Sequence, residues 1–443
     1  MSATETSPIP PTRAIFFGDV PHRIAGGQKS LLTSVLRARE HGLDPRIVFP
    51  GEGAFEAKCR AEGLRVIVLP GPPSFTLFGK ALLRASKLDQ LRIIVRETLP
   101  YAQRFARLIE EERADVVHFN SGRGVILAGW GAHLARRNTV LHQRGSVATG
   151  KIYWLAAQCL TDWILAVARA VIREIYPTMR PRTTVLYNGV NPDLPIVDRA
   201  VARAAIARRF EGALALDPDT RLFVSLSSVT PFKGLHYLVE AAALAKKRGV
   251  RAAYILAGGT RADTYTAWLR RKIERLGLAN EVHLAGFVDD THQLLCAADA
   301  LVLPTVAHER LLIDGEVVEE WSGEGLPRSI LEAMVAGIPS IASDTAGVSE
   351  QIDPGKNGLI VPPGDPTSLA EALVRTAKDD AFRRDAGALA HETARARFSI
   401  ARAGEGLARE LARVAAEPWS LARKMSRWPA LARDAARFQR EYR

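Results

Sequence analysis

The sequence predicts an α/β protein made of two doubly wound, Rossmann-like domains, and three observations predict it. Short apolar runs alternate with helical ones almost throughout the 443 residues, the pattern of parallel strands covered by helices on both faces. The chain is long for one domain and natural for two of roughly 200 residues each. The stretch Asn188-Gly-Val-Asn-Pro-Asp-Leu-Pro195, rich in turn formers between a strand and a helical run, supplies a linker. The expected division is therefore 1–192, 193–395 and a basic helical segment over 396–443.

Taken in order, the first half offers strands at 14–18, 46–49, 66–69, 116–119, 139–142, 163–166 and 184–187. Each is a run of β-branched and aromatic residues too short for a helix and bounded by turn formers. The second half repeats the theme at 222–226, 253–257, 282–284, 301–303, 340–342 and 359–361. After Val361 the pattern is helical to the end, without internal repeats or long low-complexity tracts.

Composition narrows the function classes. Hydrophobic residues at 47% suffice for two cores. No run approaches the roughly 20 apolar residues of a membrane span, and the N-terminus lacks the basic-then-apolar order of a secretion signal. A cytoplasmic protein is expected, located either free or at the inner face of a membrane. Cys59, Cys159 and Cys296 are scattered, with no CxxC pair, so neither a disulfide framework nor a structural zinc site is implied.

The net charge of +12 is concentrated. Residues 76–107 and 418–443 each carry seven cations against two acids, so together they hold +10 of the +12. Both segments read as amphipathic, the second through Trp419, Leu421, Trp428, Leu431 and Phe438. Such helices suit an anionic bilayer surface, or they pack their apolar sides on the domains and leave the cations in water. No aromatic-interleaved stacking motif accompanies the charge, which argues against nucleic acid.

Chemistry concentrates where strands feed helices. Glu324 and Glu332 have seven residues between them, in a segment where Gly325 and Pro327 set a turn. From Ser329 the spacing of Ile330, Leu331, Ala333, Met334 and Val335 predicts a buried helix stopping at Gly337. The free N–H groups of a first helical turn attract phosphate or sugar oxygens. Glu332, about one and a half turns in, suits a vicinal diol such as a ribose, and Glu324 suits a second hydroxyl. A solvated helix face produces the same spacing, but the flanking strands put these acids at a crossover of a parallel sheet, where ligands bind.

Upstream, Ser225–Gly234 sets Lys233 and two serines, Ser228 among them, at the mouth of the second sheet, where a lysine can neutralise a diphosphate. Gly26 and Gly27 precede an expected helix from Ser30 to Glu40 and would let a backbone approach phosphates. The pair fits neither a Walker A loop nor GxGxxG. Gly259 and Val288 end further strands beside glycine turns able to flank a nucleobase, and His118 with Asn120 closes a first-half strand.

With these pieces in order, the chain resembles the retaining glycosyltransferases of family 4, built on the GT-B fold. The likeness is carried by Gly26-Gly27, Tyr187-Asn-Gly-Val190, Lys233-Gly234, Ala257-Gly-Gly259, Leu284-Ala-Gly-Phe-Val288 and above all Glu324-Gly-Leu-Pro327 followed by Glu332-Ala-Met-Val-Ala-Gly-Ile-Pro339. It implies two domains facing across a cleft, the first taking the acceptor and the second the nucleotide sugar, with the final helical segment crossing back to the first. It further implies that Glu324 and the backbone of Gly325 and Leu326, ahead of Pro327, hold the donor sugar. Glu332 would hold the ribose, Lys233 the diphosphate, Val288 the base through its backbone, and Gly26 with Gly27 would lie against the donor phosphates. A lone histidine is more often structural than catalytic, but its strand-end position makes His118 a catalytic candidate alongside Glu324 and Lys233.

Three positions depart from the family pattern. Ser228 stands where an arginine is usual, His118-Phe-Asn120 holds one histidine where many members show two, and Arg144 replaces a common histidine. The stretch Thr305–Gly323, with Glu316, Glu319, Glu320 and Trp321, reads as a lid, a donor-specificity loop or a solvated excursion.

The expected function is metal-independent, retaining transfer of a sugar from a nucleotide-diphosphate donor to a hydroxyl of a glycan or lipid-linked acceptor. The donor is a co-substrate, and no other cofactor is expected. The alternatives are a GT-B epimerase or phosphorylase, or a non-catalytic sugar-nucleotide binder.

Overall fold

A computed structural model describes residues 10–75, 86, 92–145, 151–210, 216–217, 219–260 and 262–441. The chain forms two compact units, one of residues 1–189 with 400–443 and the other of residues 190–399. The sequence reading set these junctions at 192/193 and 395/396.

In the first unit, strands β1 (Thr12–Phe17), β2 (Leu43–Phe49), β3 (Arg65–Val68), β4 (Val116–Phe119), β5 (Asn138–Gln143), β6 (Trp163–Ala166) and β7 (Thr183–Val185) form one sheet in the order β3-β2-β1-β4-β5-β6-β7. Every pairing is parallel. Ala14, Ile15, Phe16 and Phe17 are all fully buried, as a strand covered on both faces must be, and that is why it reads as a continuous apolar run. The order reverses between β1 and β4, so the loops leaving these two strands diverge.

The first-unit core is completed from the far end of the chain. Helix Ile400–Ala416 lies against helix Gly26–Ala38, burying Leu407, Leu411 and Val414. At the crossing, a Cβ on Gly404 would stand 2.4 Å from the Arg37 Cβ and 2.9 Å from its carbonyl carbon, so the two backbones meet only because residue 404 has no side chain. Helix Trp428–Glu441 then packs on Lys151–Cys159, with Leu431 buried and the Phe438 ring 5.8 Å edge-on from that of Tyr176.

Of the two readings of 418–443, this packing is the one in which the segment spends its apolar side on the domain. Two of its cations are internal as well. Lys424 is fully buried, with Nζ 2.7 Å from Asp162 and 3.4 Å from His133 Nδ1, and Arg427 lies 3.6 Å from the same carboxylate. In the other basic segment Lys80, Leu82, Leu83, Arg84, Lys87, Leu88 and Leu91 lie outside the described residues. Among those described, no helix is long and apolar enough to cross a membrane.

The second unit repeats the plan with β8 (Arg221–Leu226), β9 (Ala252–Ala257), β10 (Val282–Gly286) and β11 (Ala300–Leu303). A two-stranded hairpin follows, β12 (His308–Ile313) and β13 (Glu316–Trp321), and then β14 (Ser340–Ser343) and β15 (Gly358–Val361). The main sheet is parallel in the order β10-β9-β8-β11-β14-β15, with its reversal between β8 and β11. The hairpin is antiparallel, pairing His308 with Trp321, Arg310 with Glu319 and Leu312 with Val317. Asp314 (φ 52°) and Gly315 (φ 86°) close it, both in the left-handed region that a two-residue hairpin turn demands.

Candidate active site

The second unit gathers most of the expected residues where its sheet order reverses. After β8, Thr230 leads into a single turn, Pro231–Lys233, and helix Leu235–Lys247 follows. Gly234 (φ 66°) sits between them, and a Cβ there would fall 2.0 Å from the Pro304 carbonyl oxygen, so only glycine fits. This close approach, with the Val306 amide donating to the Phe232 carbonyl at 2.8 Å, fastens the Lys233 turn to the end of β11. Glu324 arrives from beyond the hairpin, its own amide donating to Ser322 Oγ at 3.2 Å. Lys233 Nζ and Glu324 Oε1 then form an ion pair across the two loops.

Burial pushes the Lys233 ammonium down to about 8, and a desolvated cation of this kind needs a counter-anion. In the segments that follow β8 and β11, the hydroxyls of Ser227, Thr230 and Thr305 are buried without a hydrogen-bond partner among the described residues. A buried hydroxyl left so costs about 1–3 kcal/mol, which oxygens of a bound ligand would recover. Ser228 lies half-buried beside them.

The helix expected from Ser329 runs from Arg328 to Val335 with Pro327 as its N-cap. Leu326 is buried, and the Gly325 carbonyl accepts from the Gly347 amide at 2.7 Å, which holds the turn. Glu332 has a partner that the sequence reading did not foresee. Arg328 Nε donates to it at 2.8 Å, one helical turn away. Gly259 accepts from the Val229 amide at 3.1 Å and has open space where a Cβ would stand. Val288 follows β10 with its side chain buried.

In the first unit, Gly26 and Gly27 are themselves the first turn of the helix rather than a loop ahead of it. The Ala25 amide is capped by Gln28 Oε1 at 3.3 Å, and nothing lies within 4 Å of where either glycine would carry a Cβ. His118 is corrected more strongly. It is fully buried within the sheet, its Nε2 3.3 Å from His142 Nδ1 and its ring 4.7 Å from that of Phe16. Burial first, and then the charge of Arg144, hold both imidazoles well below their ordinary range, so both stay neutral. His118 belongs to the core rather than to a strand-end catalytic position.

The polar groups at the carboxyl end of this sheet are others. Arg144, just past β5, donates through Nε to Asn120 Oδ1 at 2.9 Å and through Nη1 to Asn188 Oδ1 at 2.8 Å. Asp19, just past β1, is buried and accepts from Ser121 Oγ at 2.9 Å across the reversal point. Burial raises its carboxyl above the usual range against the lowering effects of Ser121 and Arg123. The sequence reading missed Asp19 and Ser121, although a polar pair directly after two buried strands was the signal available.

Known proteins add to this geometry. The Glycosyl transferase 4-like domain family model matches residues 26–177, and the Glycosyl transferases group 1 model matches residues 220–379. Both halves of the chain thus match glycosyltransferase domain families. EpsD of Bacillus subtilis (strain 168), provisionally described as a glycosyltransferase, is 27% identical over 334 residues, covering 70% of this chain and 80% of its own length. WcaL of Escherichia coli (strain K12), provisionally described as a colanic acid biosynthesis glycosyltransferase, is 32% identical over 178 residues, 39% of this chain. The match spans 41% of that protein, and 36% of its Salmonella typhimurium counterpart. Among solved structures, Anabaena HepE in complex with UDP and glucose superposes with a TM-score of 0.73 at 21% identity, covering 91% of this chain and all of that one. The chain thus adopts the GT-B fold.

Proposed function

We propose that this protein transfers a sugar from a nucleotide-diphosphate donor to a hydroxyl of a glycan or lipid-linked acceptor, with retention of configuration. The observation that carries the reading is the Lys233–Glu324 pair, a desolvated cation and a carboxylate brought from two crossovers to the reversal point of one sheet. In this reading a donor diphosphate takes the place of Glu324 beside Lys233. The released carboxylate then accepts hydrogen bonds from the sugar hydroxyls, while Lys233 and the N–H groups of the Arg328–Val335 helix stabilise charge growing on the leaving diphosphate.

Glu332 receives the ribose hydroxyls while Arg328 holds it in place, and Gly259 and Val288 border the base. These groups supply the neutralisation without a metal ion. The first unit takes the acceptor, with Asp19 and Ser121 as its hydroxyl-binding groups. HepE binds UDP, which makes uridine nucleotides the first donors to try, and WcaL's description suggests a polysaccharide acceptor. Cytoplasmic placement follows if the donor pool is cytoplasmic. Membrane binding would fall mainly to the segment around residues 76–107, because the C-terminal helices spend their apolar side internally.

The test is turnover of a nucleotide-sugar panel, as hydrolysis or transfer, by wild type, Lys233→Ala and Glu332→Ala. Removing the lysine is expected to lower kcat/KM by about 10²–10³-fold. Removing the glutamate is expected to raise the nucleotide Kd about tenfold, close to 1.4 kcal/mol. Near-wild-type turnover in both variants would overturn the reading.

A further inference from the structure

We infer that Trp321, backed by His308, is an aromatic platform that takes the face of a sugar ring beside the Lys233–Glu324 pair. The inference rests on the proposed donor site and adds to it a subsite for a pyranose. It begins with the hairpin's alternation. Glu309 and Ile313 point inward and are buried, so the opposite face of the same strands turns outward, and it carries His308, Arg310, Leu312, Val317, Glu319 and Trp321.

On that face Trp321 is 58% exposed. Its cross-strand partner His308 stacks on it with ring centroids 4.0 Å apart and planes 21° from parallel. His308 is held in turn by Glu319 at 2.7 Å. The indole therefore keeps a fixed orientation without a ligand, at little further ordering cost.

Location makes this more than an exposed tryptophan. The hairpin is pinned to the second unit at the Lys233 turn, through the Val306 amide on the Phe232 carbonyl, and its base is closed by the Ser322 amide on the Ala307 carbonyl at 2.8 Å. Two residues, Ser322 and Gly323, separate Trp321 from Glu324, a span of at most about 11 Å of backbone. One face of a pyranose is lined with C–H groups and stacks on an electron-rich ring, while its rim of hydroxyls needs donors and acceptors. Arg310 and Glu319 flank the platform as that rim requires.

The ring belongs either to the donor sugar or to a sugar of the acceptor, and binding separates the two. Affinities for UDP, UDP-glucose and maltotriose are measured on the full chain and on Trp321→Ala, Trp321→Phe and, at the hairpin tip, Leu312→Ser. Melting temperatures confirm folding. UDP affinity is expected to stay within about twofold in all variants. Trp321→Ala loses about tenfold for UDP-glucose if the ring is the donor's, or for maltotriose if it is the acceptor's. Trp321→Phe recovers most of that loss, and Leu312→Ser changes nothing. Either sugar-specific loss supports the platform. Sugar ligands bound equally by wild type and Trp321→Ala, or bound by neither, overturn it. If UDP binding still depends on Lys233 in that case, the donor site stands and the platform alone fails. If Trp321→Ala weakens a sugar ligand while Lys233→Ala leaves UDP unaffected, the reverse holds.

Discussion

At the residue scale, the proposed site has Glu324 and a donor diphosphate competing for one ammonium. In that proposal the carboxylate that neutralises buried Lys233 gives way to phosphate, so Glu324→Gln is expected to act in two directions. UDP binding should tighten about tenfold by calorimetry, because the internal competitor is gone, while sugar transfer falls about 100-fold through loss of the hydroxyl acceptor. A simple sugar-contact role would lower transfer and leave UDP affinity unchanged. The ammonium also sets a pH limit. Since burial brings Lys233 down to about 8, nucleotide affinity is expected to hold from pH 6.5 to 7.5 and to fall as pH rises through about 8 and the charge is lost.

Both residues could be located from sequence because each sits where an apolar run gives way to glycine and then to a helical pattern. Their pairing could not be, since they are 91 positions apart and meet only because β8 and β11 are neighbours. His118 misled for a related reason. A polar residue near a strand end reads as exposed, yet position 118 falls one residue short of the strand's last, with Phe16 and His142 beside it. The strand-end position belongs to Asn120.

At the element scale, the final helices are held by a buried charge as well as by apolar contact. Lys424→Met leaves Asp162 in the interior with only the more distant Arg427 opposite, and removing one partner of a buried pair costs about 3–5 kcal/mol. Denaturant unfolding should show that loss for Lys424→Met and no change for exposed Arg433→Ala. An equal response from the two variants would mean that the pair contributes nothing. The amphipathic pattern of 418–443 was visible in the sequence. The buried ion pair was not, because a basic residue looks the same facing water as facing a buried carboxylate contributed from residue 162.

The hairpin was missed although its signal was present. Asp314-Gly315 stands between Leu311-Leu-Ile313 and Glu316-Val-Val318, a strong short-range mark of a two-residue turn. The acids on both flanks masked it, because the inward Glu309 breaks the usual rule that buried positions are apolar.

At the scale of the whole molecule, acid should unfold the protein earlier than its carboxylates alone would require. His118, His133 and His142 are buried and neutral, and burial together with nearby cations brings His133 to about 4. An unfolded histidine takes up its proton near 6.5. Between that value and about 4 the unfolded chain therefore binds more protons than the folded one, so stability present above pH 6.5 declines across the window. Melting temperatures are expected to drop steadily from pH 7 to 5, and His133→Gln should soften the decline. An unchanged slope in that variant would remove His133 from the account.

The alternation of strands and helices was legible at this scale nearly to the residue, because parallel strands buried on both faces announce themselves as apolar runs. Connectivity carries a consequence for biosynthesis. The first unit draws its last two core-covering helices from beyond residue 399, so a nascent chain leaving the ribosome reaches the end of its second unit while the first still waits for its closing piece. Domains usually mature from the N-terminus onward during translation; here the order is inverted, and the opening sheet, whose strands all precede residue 186, stays uncovered along one helix layer until residues 400–441 have been made.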